Sequence, residues 1–121
     1  MRGLLIVLFA GLALLPACAG LDAGSAPAPT RLEQIAKGRE LATEHCSTCH
    51  AIGAAGDSPA EEAPPWRDIA DTFTPTTLNG LLSQGISARH PTMPAFEFSR
   101  SDAEALSAYL HSVQAQAHPH H

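Results

Sequence analysis

The residues best suited to hold a redox cofactor form one short run, Cys46-Ser47-Thr48-Cys49-His50. The spacing C-x-x-C-H is the attachment signature of c-type haem. On a helix, positions i, i+3 and i+4 share one face, so Cys46, Cys49 and His50 are expected to point the same way. Two thiols can then bond the edge of one porphyrin while the imidazole reaches its iron. The motif therefore predicts one covalently attached haem c.

Three other interpretations of this cysteine pair have less support. A zinc ribbon needs a second ligand pair at its own spacing, and the sequence contains no other C-x-x-C. A thioredoxin-like redox pair needs a βαβ context, and no strand pattern precedes Cys46. A disulfide between Cys46 and Cys49 would leave His50 without a role. Haem attachment is the interpretation that uses all three residues.

The second axial ligand of the iron is expected downstream, in the stretch HPTMP at residues 90–94. A methionine thioether is a soft, neutral ligand that suits ferrous iron and raises the reduction potential relative to two histidines. The only other methionine is Met1, which processing of the N-terminus would remove. We therefore predict Met93 as the second iron ligand, with His90 as the alternative.

The first 17 residues are typical of an export signal, with Arg2 as the positive charge and an apolar run from Gly3 to Leu15. An apolar run of about 13 residues is too short to span a bilayer, which takes roughly 20. We therefore predict a signal peptide over residues 1–17 and export to the periplasm.

Two cleavage patterns compete at the end of this signal. The sequence LPAC at residues 15–18 resembles a bacterial lipobox, in which Cys18 is acylated and becomes the new N-terminus, although Pro16 departs from that pattern. Ala17-Cys18-Ala19 instead fits small-x-small cleavage, which would release a chain starting at Gly20. We favour a lipid anchor on Cys18, because a free protein has little need of the linker that follows.

After the signal, composition divides the chain into three parts. Residues 18–30 are small and punctuated by proline, and are expected to form an extended linker. Residues 31–114 are long enough for one domain. Residues 115–121 are expected to be a disordered tail without a shaped metal site. The histidines of this tail are His118, His120 and His121.

The first helix of the domain is predicted to begin at Thr30, where Glu33 completes a capping box. It continues toward the C-x-x-C-H motif. A short turn or helix is predicted over residues 66–73, and a further helix over residues 76–83 that is stopped by Gly85.

The last helix is predicted to begin at Ser99 or Ser101, because Ser101-x-x-Glu104 is a second capping box. His45 and His111 fall on the first and last helices and are expected to be surface residues. No alternating strand pattern of useful length is present, so the predicted fold class is all-α. The buried face of the last helix is predicted to consist of Leu106, Tyr109, Leu110 and Val113.

Acidic residues outnumber basic ones, with 12 Asp and Glu against 7 Lys and Arg. Loss of Arg2 with the signal peptide would leave six basic residues against the same twelve acidic ones. This balance argues against nucleic acid and against direct adhesion to anionic lipid headgroups. A protein partner that docks by charge is expected to present a basic patch. The acidic residues also favour solubility.

The order of these motifs resembles a class I cytochrome c of the small bacterial periplasmic type with a single haem. The matching stretches are a helix with Gly38 leading to CSTCH, then APPWRDIA, HPTMPAFEFS and SDAEALSAYLHSV, over about residues 31–114. The resemblance implies three to five helices wrapped around one haem c and its iron. It also implies that Gly38 and Tyr109 lie where the first and last helices cross.

The same resemblance implies roles for residues beside the ligands. Pro64 matches a family proline whose carbonyl accepts a hydrogen bond from the ring N–H of the haem-ligating histidine, here His50. The adjacent Pro65 is the alternative. Trp66 stands where the family places an aromatic or aliphatic residue close to the haem, and simple burial in the core is an equal explanation for it.

The expected function is single-electron transfer by a monomer, between periplasmic or membrane redox partners, and not enzymatic catalysis. With His50 and Met93 both bound to iron, electrons would enter and leave through the exposed haem edge. Two alternatives stay open. One is a haem-based gas sensor or peroxidase-like protein with an open sixth position. The other is a fixed electron-entry subunit of a redox enzyme.

Overall fold

The computed structural model describes residues 26–85 and 92–119. Across these two ranges the chain forms four helices and no strand, which confirms the all-α prediction. None of the helices in the described ranges combines the length and apolar character that a membrane span requires. The predicted signal peptide, Cys18 and the alternative ligand His90 lie outside the described residues. The helices are α1 (Arg31–His45), α2 (Trp66–Ile69), α3 (Pro75–Gln84) and α4 (Arg100–Ala117).

Helix α1 begins with the predicted capping box. The Glu33 backbone N–H donates to Thr30 Oγ1 at 3.3 Å, and the Thr30 backbone N–H donates to the Glu33 carboxylate at 2.7 Å. These two bonds satisfy donors that the first turn of a helix leaves without intrahelical partners. Hydrogen bonding to Thr30 also lowers the pKa of the Glu33 carboxyl. The capping box therefore fixes where α1 starts, and with it the approach to the C-x-x-C-H motif.

Helices α1 and α4 cross in close contact at Gly38. A Cβ atom at Gly38 would lie 2.0 Å from the carbonyl oxygen of Ala105 and 2.8 Å from Tyr109 Cβ. Only a residue without a side chain allows the two backbones to approach this closely. The crossing implied by the resemblance, with Gly38 against Tyr109, is therefore present.

Helix α4 lies at the centre of the core, because α1, α2 and α3 all pack against it. Its predicted buried face is confirmed, since Leu106, Tyr109, Leu110 and Val113 are 8% exposed or less. The buried hydrophobic residues of the other elements are Leu41, Ala42, Cys46, Trp66, Ala70, Leu78 and Leu82. Burial of this kind contributes about 25 cal/mol for each Å² of apolar surface removed from water.

The ends of α3 and α4 differ from the predictions in detail. Helix α3 starts at Pro75, because Thr74 caps it by accepting from the Thr77 backbone N–H. It ends at Gly85 as predicted, and Gly85 has a φ of 85°, a conformation that favours glycine. Helix α4 is capped by Ser99, whose Oγ accepts from the Asp102 backbone N–H at 3.1 Å. The predicted Ser101 capping box is therefore wrong. Helix α4 also continues to Ala117, past the predicted domain boundary at residue 114.

Candidate haem-binding site

The C-x-x-C-H motif lies directly after α1, in a series of turns. Helix α1 ends at His45, and Cys46 is its C-cap residue. The Cys49 backbone N–H donates to the Cys46 carbonyl at 3.1 Å, and the His50 backbone N–H donates to the same oxygen at 2.9 Å. Helix α1 therefore continues toward the motif as predicted, while the motif itself forms turns. One helix-like bond, from His50 back to Cys46, nevertheless keeps these two residues one turn apart.

The two cysteines of the motif are free thiols, with Cys46 buried and Cys49 exposed. Burial, and to a smaller extent the neighbouring Cys49, raises the pKa of the Cys46 thiol to about 11. A raised pKa leaves less of the thiolate form, through which disulfide exchange proceeds. The described ranges also contain no group of three or more His, Cys, Asp and Glu side chains able to hold a metal ion. Neither alternative interpretation of the cysteine pair gains support.

The imidazole of His50 is fixed by a backbone carbonyl. His50 Nδ1 lies 2.8 Å from the carbonyl oxygen of Pro64. A carbonyl only accepts, so Nδ1 carries a proton, and in this tautomer of the neutral ring Nε2 has the lone pair that an iron ligand needs. The carbonyl of Pro65 instead accepts from the Asp68 and Ile69 backbone N–H groups in the first turn of α2. The His50 contact is therefore made by Pro64 and not by Pro65.

A loop of residues 51–65 frames the motif. Apart from the bond between His50 and Pro64, the hydrogen bonds that hold this loop in place are not among the sequence predictions. The Ala60 backbone N–H donates to the Cys49 carbonyl at 3.1 Å, and the Trp66 backbone N–H donates to the Ala51 carbonyl at 2.9 Å. The Ala51 backbone N–H donates to Ser58 Oγ at 3.0 Å. The residues on both sides of His50 are thus tied to the loop that carries Pro64.

Trp66 lies in the core, at the start of α2, and is 6% exposed. Its ring centroid is 5.9 Å from that of Tyr109 on α4, at an interplanar angle of 54°. This tilted arrangement is typical of favourable aromatic pairs. Trp66 therefore joins the loop of residues 51–65 to the crossing of α1 and α4, as a core residue.

Met93 is half-buried in the irregular segment of residues 92–99. The Phe98 backbone N–H donates to the Leu82 carbonyl at 3.3 Å, which ties this segment to α3. The rings of Phe96 and Phe98 lie 5.5 and 5.7 Å from the His45 ring, at the end of α1. The segment that carries Met93 is therefore attached next to the start of the motif. Iron ligation by Met93 remains a prediction.

The two internal helical histidines are less exposed than predicted. His45 is half-buried beneath the Phe96 and Phe98 rings. The Nε2 atom of His111 is buried and has no hydrogen-bond partner among the described residues. The position of His111 on α4 gives the reason, because it lies one turn after Ser107, which is 2% exposed. A helical period counted from the buried face would have predicted this burial.

The donor set at the motif fits covalently bound haem c. Two free thiols are available for thioether bonds, and the His50 ring is held with Nδ1 against the Pro64 carbonyl, which leaves Nε2 for a metal. Donation of the other ring N–H to a carbonyl is the usual arrangement of a metal-ligating histidine. The residues present therefore match the cofactor that the motif predicts.

Comparison with known proteins agrees with this site. The family model described as cytochrome c oxidase, cbb3-type, subunit III matches residues 33–110. Cytochrome c-552 from Bradyrhizobium diazoefficiens is 25% identical over 97 residues, which cover 80% of this chain and 91% of that protein. No solved structure matches. The chain thus belongs to the family of c-type cytochrome domains described as cytochrome c oxidase, cbb3-type, subunit III, and its cofactor is covalently bound haem c with iron.

Proposed function

We propose that this protein carries single electrons between redox proteins in the periplasm, as a monomer whose haem iron is held by His50 and Met93. The observation that supports this best is the fixed His50 ring, in which the bond from Nδ1 to the Pro64 carbonyl leaves Nε2 for iron. The segment that carries Met93 is tied to α3 and to the end of α1. When bound, haem c supplies one-electron chemistry.

The residues of this chain would position the cofactor and set its surroundings. Cys46 and Cys49 would anchor it, and His50 would ligate iron with an orientation fixed by Pro64. Trp66 and the buried face of α4 supply apolar surroundings. Fixed ligands and an apolar environment favour electron exchange, because little has to move when the iron changes its charge.

Covalent attachment gives the most direct test of the site. The matured protein is expected to keep its haem through denaturation and acid-acetone extraction, because two thioether bonds hold it. Cys46→Ser and Cys49→Ser are each expected to leave one thioether, and the double variant is expected to release its haem freely. Extraction of haem from the correctly matured native protein would contradict the assignment.

The carrier function itself is tested by electron exchange. A reversible optical titration is expected to follow a one-electron Nernst curve, and the reduced protein is expected to be oxidised by a partner with a basic surface. Exposed acidic residues beside the motif support such a partner, since Glu44 adjoins its start and Asp57, Glu61 and Glu62 lie in the framing loop. Exchange rates should therefore fall with rising ionic strength. Rates independent of salt would contradict charge-guided docking.

The N-terminus is proposed to be a lipid anchor on Cys18, with residues 19–30 as its tether. Each buried methylene group contributes roughly 0.8 kcal/mol, so two or more acyl chains would hold the protein stably on a membrane. Mass spectrometry of the native protein is expected to show an acylated N-terminal Cys18. Cys18→Ser is expected to release the protein from the membrane fraction. An unmodified N-terminus at Gly20 would contradict the anchor.

A further inference from the structure

The backbone on either side of His50 is held by the same loop that carries its ring partner. Ala51, the next residue, has both backbone polar groups bonded, its N–H to Ser58 Oγ at 3.0 Å and its carbonyl to the Trp66 N–H at 2.9 Å. On the other side, the Cys49 carbonyl accepts from the Ala60 N–H at 3.1 Å. Three bonds besides the ring contact therefore hold the loop and the adjoining Trp66 to the two residues that flank His50.

Ser58 is the one side chain among these three bonds. Its hydroxyl accepts from a backbone N–H seven residues earlier in the chain, in a half-buried position. It thus joins the middle of the loop to the residue that follows His50. The neighbouring turn is also fixed, because Arg67 Nη1 donates to the Gly56 carbonyl at 2.8 Å. Gly56 has a φ of 90°, a conformation that favours glycine.

We propose that Ser58 is a positioning residue for His50, acting through the loop that brings the Pro64 carbonyl to Nδ1. Loss of the hydroxyl would release the Ala51 N–H and loosen the first half of the loop. The bond between His50 and Pro64 would then be made for a smaller fraction of the time. The inference rests on the proposed function only in taking His50 as an iron ligand.

A weaker bond at Nδ1 has a direct electronic consequence. A histidine ligand that donates its second ring N–H is a stronger donor to the metal. Strong donation stabilises the ferric state, so weakening the bond to Pro64 is expected to raise the reduction potential. The ring N–H would also exchange with solvent more quickly, because exchange requires that this bond open.

The test uses the loaded protein with Ser58→Ala, and two readouts besides electron transfer. One is the solvent exchange rate of the His50 ring N–H, measured by nuclear magnetic resonance in the ferrous state. The other is the midpoint potential. In Ser58→Ala we expect exchange to become about fivefold faster, the factor that corresponds to one typical net hydrogen bond, and the potential to rise.

Three further variants isolate the hydroxyl. Ser58→Thr keeps the hydroxyl and is expected to match the native protein. Ser58→Val has the bulk of threonine but no hydroxyl, and it is expected to behave like Ser58→Ala. This pair also decides the question if Ser58→Ala fails to fold. Ser83→Ala is the matched control, because Ser83 is exposed on α3, and it is expected to change neither readout.

Unchanged exchange and potential in both Ser58→Ala and Ser58→Val would overturn the proposal while leaving the carrier function intact. The same conclusion would follow if only the unfolding midpoint changed, since that indicates a purely structural role. If the native protein itself shows no iron-bound His50 ring, the proposed ligation fails, and the role of Ser58 fails with it. The two failures are therefore distinguishable.

Discussion

Replacing Met93 with alanine is expected to open one axial position of the haem iron, so that the iron binds carbon monoxide. The thioether is the proposed second axial ligand, and its removal leaves that position without a side chain from this segment. Carbon monoxide is expected to bind the native ferrous protein slowly or not at all, and to bind Met93→Ala quickly. The segment of residues 92–99 should stay in place, because the Phe98 bond to Leu82 and the ring contacts with His45 remain.

The same variant is expected to have a lower reduction potential, because methionine ligation favours the ferrous state. The decrease is expected to be on the order of 0.1 V, within the roughly 0.8 V range that axial ligands span. The near-infrared charge-transfer band of methionine-ligated ferric haem should disappear as well. Optical spectroscopy and redox titration measure all three changes.

His90→Ala is the control for the alternative ligand. It is expected to leave carbon monoxide binding and potential close to native values. If His90→Ala opens the iron and Met93→Ala does not, the ligand is His90. Fast carbon monoxide binding by the native protein, unchanged in Met93→Ala, would instead favour the sensor or peroxidase alternative over the carrier.

Replacing Gly38 with alanine is expected to destabilise the protein strongly, and more than alanine at any other glycine that the structure describes. The added Cβ would lie 2.0 Å from the Ala105 carbonyl oxygen and 2.6 Å from its carbon, both of which are backbone atoms. A side chain could rotate away, but here α1 and α4 must move apart. We expect a cost of about 3 kcal/mol or more, at the upper end of overpacking effects. Total stabilities are only about 5–15 kcal/mol.

Gly80→Ala is the matched control for this prediction. Gly80 lies inside α3, and the nearest atom to an added Cβ is Gln84 Nε2, at 3.8 Å. Alanine is the better helix former by about 1 kcal/mol, so this variant should be slightly more stable than the native protein. Guanidinium unfolding followed by circular dichroism measures both. A native unfolding midpoint in Gly38→Ala would contradict the close crossing.

Local signals in the sequence were sufficient where a few neighbouring residues determine the structure. Thr30 and Glu33 form a capping box because all of its donors and acceptors lie within one turn. Gly85 ends α3 for a similarly local reason. His50 and Pro64 are 14 positions apart in the chain, so no local pattern predicts their contact. The family resemblance predicted it.

Other features depend on tertiary contacts that the sequence pattern does not contain. Ser99 and Ser101 are both good cap residues, and in the structure Ser99 caps α4, with its side chain accepting from the Asp102 backbone N–H. Helix α1 ends at His45, before the motif, because the chain turns there and the framing loop bonds to the motif. The Ala60 N–H donates to the Cys49 carbonyl, and the Pro64 carbonyl accepts from the His50 ring. The burial of His111 follows from the packing of α4 on its neighbours.

The contact between α1 and α4 has a consequence for the order in which the protein assembles. These helices lie at opposite ends of the domain, so their docking closes a loop of residues 46–99. Such long-range contacts form late, because the entropy of loop closure opposes them until the whole chain is available. On the proposed route of export, Cys46 therefore emerges well before α4 can complete the core in which Cys46 is buried. On that proposed route, the thiols of Cys46 and Cys49 stay accessible for haem attachment until the C-terminal residues have crossed the membrane.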